Sequence, residues 1–133
     1  MGAPVKYNAN DWSLQLGSYY VTGYDEDMFT IEKDEGKGEY VIGAQGDAIF
    51  NETNNTLHTL TVTLQATSPA VAKLLDLFND GEEFSVNAIN KKLGREFVGE
   101  YARVTEAPSM EAGAEAGSVE FTIQIADGMM RNC

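Results

Sequence analysis

The chain has 133 residues, enough for one compact domain and too few for two ordinary ones. Nine basic and 21 acidic side chains give a formal net charge of −12. This negative charge argues against a surface that binds nucleic acid or an anionic membrane, since both kinds of binding need clustered Lys and Arg. No apolar run reaches the length of a membrane span, no signal peptide is recognisable, and one cysteine cannot form an intrachain disulfide. We expect a single acidic domain, residues 1–133, made in a reducing compartment.

The first two elements are strands with one apolar side. Apolar residues occupy alternate positions in residues 12–16 and again in residues 29–32. This is the pattern of a strand with one buried and one wetted face. The acidic run at residues 25–27 resembles the start of a calcium loop but lacks its glycine and its distal glutamate. We expect a solvated turn there.

Residues 34–56 form the unusual segment of the chain. A connection of this length without structure is improbable in a compact domain unless it has a function. Its large apolar residues, interleaved with Gly and Asp, are Tyr40, Val41, Ile42, Ile49 and Phe50. A domain this small has little room to fold the loop back on itself. We therefore expect the loop to bury these groups against a neighbouring subunit.

The next strand and the following helix have clear signals. Residues 57–66 alternate apolar residues with Thr and Gln. Ser68 is a good N-cap, and Pro69 suits the first helical position. One apolar stripe follows at helical spacing, at Val71, Leu74, Leu75 and Phe78. Because residues 79–81 supply a stop signal, we expect one amphipathic helix over about 69–79 that covers part of the apolar face of the sheet.

The rest of the chain adds strands and one loop. Residues 83–90 and 96–105 alternate poorly, so both faces of these strands are expected to be partly covered, whereas residues 118–126 alternate cleanly. Residues 106–118 are small, acidic and Gly-rich, which predicts an exposed hairpin loop. These elements predict a mainly β fold, a small β-sandwich or barrel with one helix.

Side chains that carry chemistry are scarce. His58, the only histidine, stands at the edge of a predicted strand, and Cys133 lies at the last position with no base arranged beside it. We expect His58 to be a surface or interface residue. The glycines form no phosphate-binding fingerprint, and few polar groups converge. We therefore expect no catalytic site, no metal, no cofactor and no enzyme activity.

The polar positions of the strands are more informative than any single residue. If the strands pair, these positions form a wall of hydroxyls and amides with a few carboxylates and no Lys or Arg. An ordinary solvent-facing sheet accounts for this pattern. So does a continuous wall built by many copies, which would offer phosphate no donor cluster. The positions are Ser13, Gln15, Thr30, Glu32, Thr59, Thr61, Thr63, Glu120, Thr122 and Gln124.

Three segments, in this order, resemble the tail tube proteins of contractile-tailed bacteriophages. They are SYYVTGYDEDMFTIEKDE, the Gly-rich GAQGDAIFNETNN, and TLTVTLQATSPAVAKLLDLF. The resemblance spans about residues 7–127. It implies a tail-tube-like domain whose hexameric rings stack into a hollow tube. It further implies that strands of every subunit join one inner β-barrel, with the helix outside, and that DNA passes along the lumen at ejection.

The resemblance also implies roles for residues and partners. The candidates for the lumen are Thr30, Glu32, Thr59, Thr61, Thr63, Glu120, Thr122 and Gln124. The loop at 34–56 would be an inter-subunit arm that reaches an adjacent ring, with its five apolar residues as anchors. The implied partners are further copies of the chain, the tail sheath, baseplate and tail terminator proteins, a tape measure protein in the lumen, and DNA only in transit, with no membrane. The implied location is the virion tail, after assembly in the host cytoplasm.

Two other functions stay open from the sequence. The chain is also compatible with the tube of a related contractile injection or secretion apparatus that moves protein. A third possibility is a monomeric β-sandwich binding module that uses residues 34–56 to recognise a ligand.

Overall fold

The computed structural model describes residues 6–108, 113 and 117–132. The described residues form a short 3-10 helix (Ala9–Asp11), one α-helix, α1 (Pro69–Asp80), and ten strands. The strands are β1 (Ser13–Leu16), β2 (Tyr19–Tyr20), β3 (Tyr24–Lys33), β4 (Gly38–Ile42), β5 (Ala48–Glu52), β6 (His58–Gln65), β7 (Phe84–Asn90), β8 (Arg95–Glu106), β9 (Ser118–Ala126) and β10 (Met129–Asn132). The prediction of a mainly β fold with one helix is confirmed.

Eight of the strands form one antiparallel sheet. Its order is β2-β1-β7-β8-β9-β6-β3, and β10 continues along the same edge of β8 as β9. Trp12, just before β1, packs edge-on against Phe29 of β3 with ring centroids 5.6 Å apart. Because β1 and β3 lie near opposite ends of the strand order, the sheet must curl over itself. Within the described residues its two end strands do not pair, so the chain does not close a barrel by itself.

The hydrophobic core lies inside this curl. Its centre is formed by six fully buried side chains of two neighbouring strands, Leu60, Val62 and Leu64 of β6 and Phe121, Ile123 and Ile125 of β9. The register places Leu60 opposite Ile123 and Val62 opposite Phe121. Since burying one such side chain stabilises a fold by about 1.5–3 kcal/mol, this strand pair contributes a large share of the stability of the domain.

The helix begins and ends where its signals predict. The Ser68 hydroxyl accepts a hydrogen bond from the backbone N–H of Ala70 at 3.2 Å and donates one to the Thr22 carbonyl at 2.6 Å. Gly81 ends the helix in the left-handed conformation, with φ 62°. The buried stripe is Ala70, Leu74 and Leu77. The predicted stripe was therefore partly wrong: Val71 and Leu75 flank the buried line, and Phe78 is exposed at its rim.

Residues 25–27 and 34–56 differ from the sequence interpretation. Residues 25–27 lie within β3, where five steps from Tyr24 to Phe29 face only two steps of β6, so the acidic run is a bulge in an edge strand and not a turn between strands. Residues 34–56 contain a hairpin, because β4 and β5 pair with each other over their whole length. The strand β2 has only two residues, too few for alternation to reveal it, and the residues of β10, MMRN, do not alternate between apolar and polar types.

His58 is buried, with 3% of its surface exposed, so the expectation of a surface or interface residue was wrong. Its ring packs against Phe97 with centroids 5.0 Å apart. Its Nδ1 lies 2.9 Å from the carbonyl oxygen of Thr56. The reason is strand parity: position 58 belongs to the same face of β6 as the core residues at 60, 62 and 64. The predicted loop at 106–118 falls largely outside the described residues, and Cys133 falls there entirely.

Candidate functional site

The eight strand residues expected to face a lumen lie together on the sheet face opposite the core. We call them the polar wall: Thr30, Glu32, Thr59, Thr61, Thr63, Glu120, Thr122 and Gln124. The pairing of β3 with β6 and of β6 with β9 aligns them in three cross-strand rows, Glu32–Thr59–Gln124, Thr30–Thr61–Thr122 and Thr63–Glu120. All eight are exposed or half-buried. Period-two alternation found the whole set because one face of each strand is committed to the core.

The edge of the polar wall differs from the sequence expectation. Ser13 and Gln15 belong to β1, which is separated from the wall by β7 and β8. In their place, Arg103 of β8 stands opposite Gln124. Its guanidinium lies 3.8 Å from the carboxylate of Glu83, and both side chains are largely exposed. The alternation of β8 is interrupted at Glu100 and Tyr101, two consecutive exposed residues before Arg103, and this interruption obscured the face to which Arg103 belongs.

The second feature is the arm, residues 34–56. All ten residues of β4 and β5 are exposed. Across the hairpin the rings of Tyr40 and Phe50 stand 4.9 Å apart, and Val41 lies opposite Ile49. The arm thus presents large apolar side chains to solvent, which a small domain rarely leaves uncovered without a partner.

Gly38 is a conformational requirement at the base of the arm. Its φ of 146° is one that residues with a side chain rarely adopt. A Cβ at this position would overlap the carbonyl oxygen of Asn51 on the opposite strand. Only glycine therefore allows β4 and β5 to pair from their first residue.

The arm is the continuation of the β3–β6 pair. Past the last sheet pair, Lys33 with His58, the Asp34 N–H donates to the Leu57 carbonyl at 3.0 Å. After an irregular stretch, the Thr53 N–H donates to the Lys37 carbonyl at 2.7 Å, and β4 and β5 follow. One ribbon therefore runs from the core of the domain to the tip of the arm.

Side chains tie the two limbs of the ribbon together at this irregular stretch, which we call the root. The Lys33 ammonium donates to the carbonyl of Glu35 at 2.6 Å and to that of Asn55 at 2.9 Å, one on each limb. From the other side of the ribbon, the Thr59 hydroxyl donates to the Asp34 carboxylate at 2.6 Å. These bonds join the two limbs at the point where the arm leaves the sheet. The sequence interpretation missed them, since they join residues on two limbs of the chain.

A groove of about 970 Å³ lies beside β3 and β10, and four residues of the polar wall, Thr30, Thr61, Thr63 and Glu120, contribute to its lining. Trp12 and Phe29 line it, and so does Arg131, whose guanidinium forms two bonds of 3.2 and 3.3 Å to the Glu96 carboxylate. None of its lining residues belongs to the arm. A ligand in this groove would not be recognised by residues 34–56, so the groove does not support the binding-module interpretation.

Other features of the described residues offer little chemistry. No group of three or more His, Cys, Asp and Glu side chains is placed to hold a metal ion in the part of the chain that the structure describes. Among these same residues, no helix is long and apolar enough to cross a membrane. The buried Tyr24 hydroxyl has no hydrogen-bond partner within the described ranges, and burial raises the pKa of this phenol well above that of a free tyrosine.

Comparisons with known proteins identify the fold. The sequence matches no protein-family model and no curated protein. The structure is similar to a chain of the PVC sheath–tube complex, an extracellular contractile injection system in its extended state, with a TM-score of 0.67 and 13% identity over 96% of this chain and 93% of that one.

Two structures of gene transfer agent (GTA) particles are also similar. A chain of the native virion matches with a TM-score of 0.69 and 13% identity. A chain of the tail of an empty particle with C6 symmetry matches with a TM-score of 0.69 and 14% identity. In both, the match covers 96% of this chain and 99% of the other. The resemblance of the sequence to tail tube proteins is therefore confirmed in the fold, which is shared with components of contractile and virion-like tails.

Proposed function

We propose that this chain is the structural subunit of a bacteriophage tail tube, with no enzymatic activity. The observation that carries the proposal is the match of nearly the whole chain to chains of tail and sheath–tube assemblies. Six copies form a ring, and rings stack into a hollow tube. The C6 symmetry of the GTA tail supports the ring of six.

The open sheet supports closure between subunits. An isolated small sheet must protect its edge strands, because their unpaired N–H and C=O groups attract other strands. Here β3 is an end strand of ten residues. Joining such edges from copy to copy removes them and produces one inner barrel shared by the ring.

The polar wall supplies the surface of the lumen. Its hydroxyl and amide groups bind water, and its two carboxylates, those of Glu32 and Glu120, repel phosphate. None of its eight residues is Lys or Arg, so it offers DNA no cluster of cations. A wall of this kind lets DNA pass without holding it.

The arm supplies the contact between rings, with Tyr40, Val41, Ile42, Ile49 and Phe50 as its anchors. The further partners are the tail sheath, baseplate and tail terminator proteins outside and at the ends, with a tape measure protein and then DNA in the lumen. The location is the virion tail, after assembly in the host cytoplasm.

A second candidate function is the tube of a contractile injection apparatus that carries protein instead of DNA. It is favoured by the match to a chain of the PVC sheath–tube complex. Nucleic-acid staining and mass spectrometry of assembled particles distinguish the two cargoes.

The first test is electron microscopy of the purified protein in negative stain. Striated hollow tubes that form above a threshold concentration are expected. A monomer at every concentration and ionic strength contradicts the proposal and favours a monomeric binding module.

Deleting residues 38–54 is expected to leave a folded domain that forms no long tubes. Tubes of normal length after this deletion would remove the arm from the proposal.

The second test concerns the lumen. Thr61→Lys combined with Thr63→Lys places two cations in the polar wall and is expected to slow DNA release without blocking assembly. The matched control is Gln15→Lys with Asn87→Lys, two facing positions of β1 and β7 away from the wall. Ejection kinetics equal to those of the wild type count against the lumen assignment.

A further inference from the structure

The arm is apolar on both of its faces. Side chains of a strand alternate between faces, so the register of β4 with β5 sorts the arm residues into two sets. Tyr40, Ile42 and Phe50 share the first face, with exposures of 74, 71 and 43%. Val41 and Ile49 share the second face, with exposures of 46 and 64%. Each face therefore carries at least two large apolar side chains in contact with water.

The same ribbon behaves differently inside the sheet. In β6 every second residue is buried, and the three residues between them belong to the polar wall. One face meets the core and the other meets water, which is the usual arrangement of a sheet with one covered side. Past the root this division ends. If the arm rested on a single surface, the apolar side chains on its outer face would stay in water and would bury no apolar area.

The size of the arm leads to the same conclusion. Two strands of five residues make a ribbon about 17 Å long and about 10 Å wide, or roughly 170 Å² per face. A stable contact between proteins buries about 800 Å² per partner, and an isolated two-stranded hairpin is marginal in water. Covering both faces doubles the apolar area that the arm can contribute.

We propose that the arm of one copy inserts between two other copies of this chain. The first face contacts one of these copies, and the second face contacts the other. A ring of identical subunits provides such a seam between each adjacent pair. This inference rests on the proposed function, in which the arm joins stacked rings, and adds that every arm binds two subunits at once.

The first experiment compares the two faces with a matched pair of variants. Ile42→Ser alters the first face and Ile49→Ser the second, with Gln45→Ser at the tip as the control. The threshold concentration for tube formation is measured by sedimentation. Both isoleucine variants are expected to raise it at least tenfold, while the control leaves it within about twofold. Normal assembly by either isoleucine variant would mean that one face is free, which overturns the inference.

The second experiment counts the neighbours directly. A chain carrying photo-crosslinking side chains at positions 42 and 49 is mixed in trace amount with unlabelled chain and assembled into tubes. Irradiation is expected to yield covalent trimers, one labelled chain joined to two unlabelled ones. Dimers alone would show that both faces touch the same copy, which overturns the inference while the proposed function stands. If the 38–54 deletion still assembles, the proposed role of the arm fails, and this inference fails with it.

Discussion

One β-ribbon has two parts, a part inside the sheet and the arm, and a comparison of the two shows what stabilises each part. Where β3 pairs with β6, the apolar side chains of β6 are fully buried by the domain itself. Where β4 pairs with β5, every residue is exposed and five large apolar side chains face water. The hydrogen-bonded ladder is nearly continuous between them. The difference is therefore in packing and not in backbone structure: the sheet part is held by the core of the domain, whereas the arm packs against no core within the described residues.

The largest expected effect comes from one phenylalanine in each part. Phe121→Ala removes a fully buried ring from the core and is expected to lower the free energy of unfolding by about 3–5 kcal/mol. Phe50→Ala removes a ring that is 43% exposed in the arm and is expected to change it by less than about 1 kcal/mol, while impairing assembly. Denaturant titration below the assembly threshold measures both. Equal losses would show that the arm belongs to the core of the subunit.

The next prediction concerns a substitution that disrupts the arm and leaves the sheet intact. Gly38→Ala forces a side chain into the space of the Asn51 carbonyl and is expected to open the β4–β5 hairpin. Chymotryptic cleavage after Tyr40 and Phe50 should accelerate about tenfold, and tubes should fail to form, with far-UV circular dichroism nearly unchanged. Gly36→Ala is the control, because open space surrounds that position. If both variants behave alike, backbone geometry at Gly38 does not hold the arm.

A smaller effect is expected at the root. Lys33→Met removes two hydrogen bonds that join the limbs. The substitution should lower the free energy of unfolding by about 1–2 kcal/mol. It should also raise the threshold concentration for assembly about threefold, because the arm leaves the sheet in a less defined direction. Lys37→Met changes the charge equally, and the Lys37 side chain makes no hydrogen bond or ion pair with the described residues. An assembly threshold that responds equally to both variants would assign the effect to charge.

The smallest prediction concerns the edge strand that carries the arm. Tyr24→Phe deletes a buried hydroxyl that has no partner among the described residues. The free energy of unfolding of the free subunit should stay unchanged or rise by up to about 1 kcal/mol relative to the wild type, since an unpaired buried polar group opposes folding. Tyr101→Phe, at an exposed ring, should have no effect. Destabilisation by Tyr24→Phe would mean that the hydroxyl is bonded in the free chain.

Local patterns predicted most of the fold. Residues 57–66 and 118–126 alternate because one face of each strand is buried. The helix was delimited by Ser68, Pro69 and Gly81, whose capping roles depend on local backbone geometry. The hairpin within residues 34–56 was missed because its alternation is absent: apolar residues on both faces remove the period-two signal. His58 was misjudged because it is a polar residue type at a core position of a strand that otherwise alternates.

The sequence by itself determined a mainly β domain with one capped helix, the eight members of the polar wall, and an unusual apolar segment at 34–56. These follow from period and residue type, which depend on neighbours along the chain. Only the tertiary structure decided that the wall forms three aligned rows, that Arg103 borders it, and that the apolar segment is a two-faced ribbon tied at its root by Lys33. Strand order and register bring together residues far apart in the chain, and no local pattern contains that information.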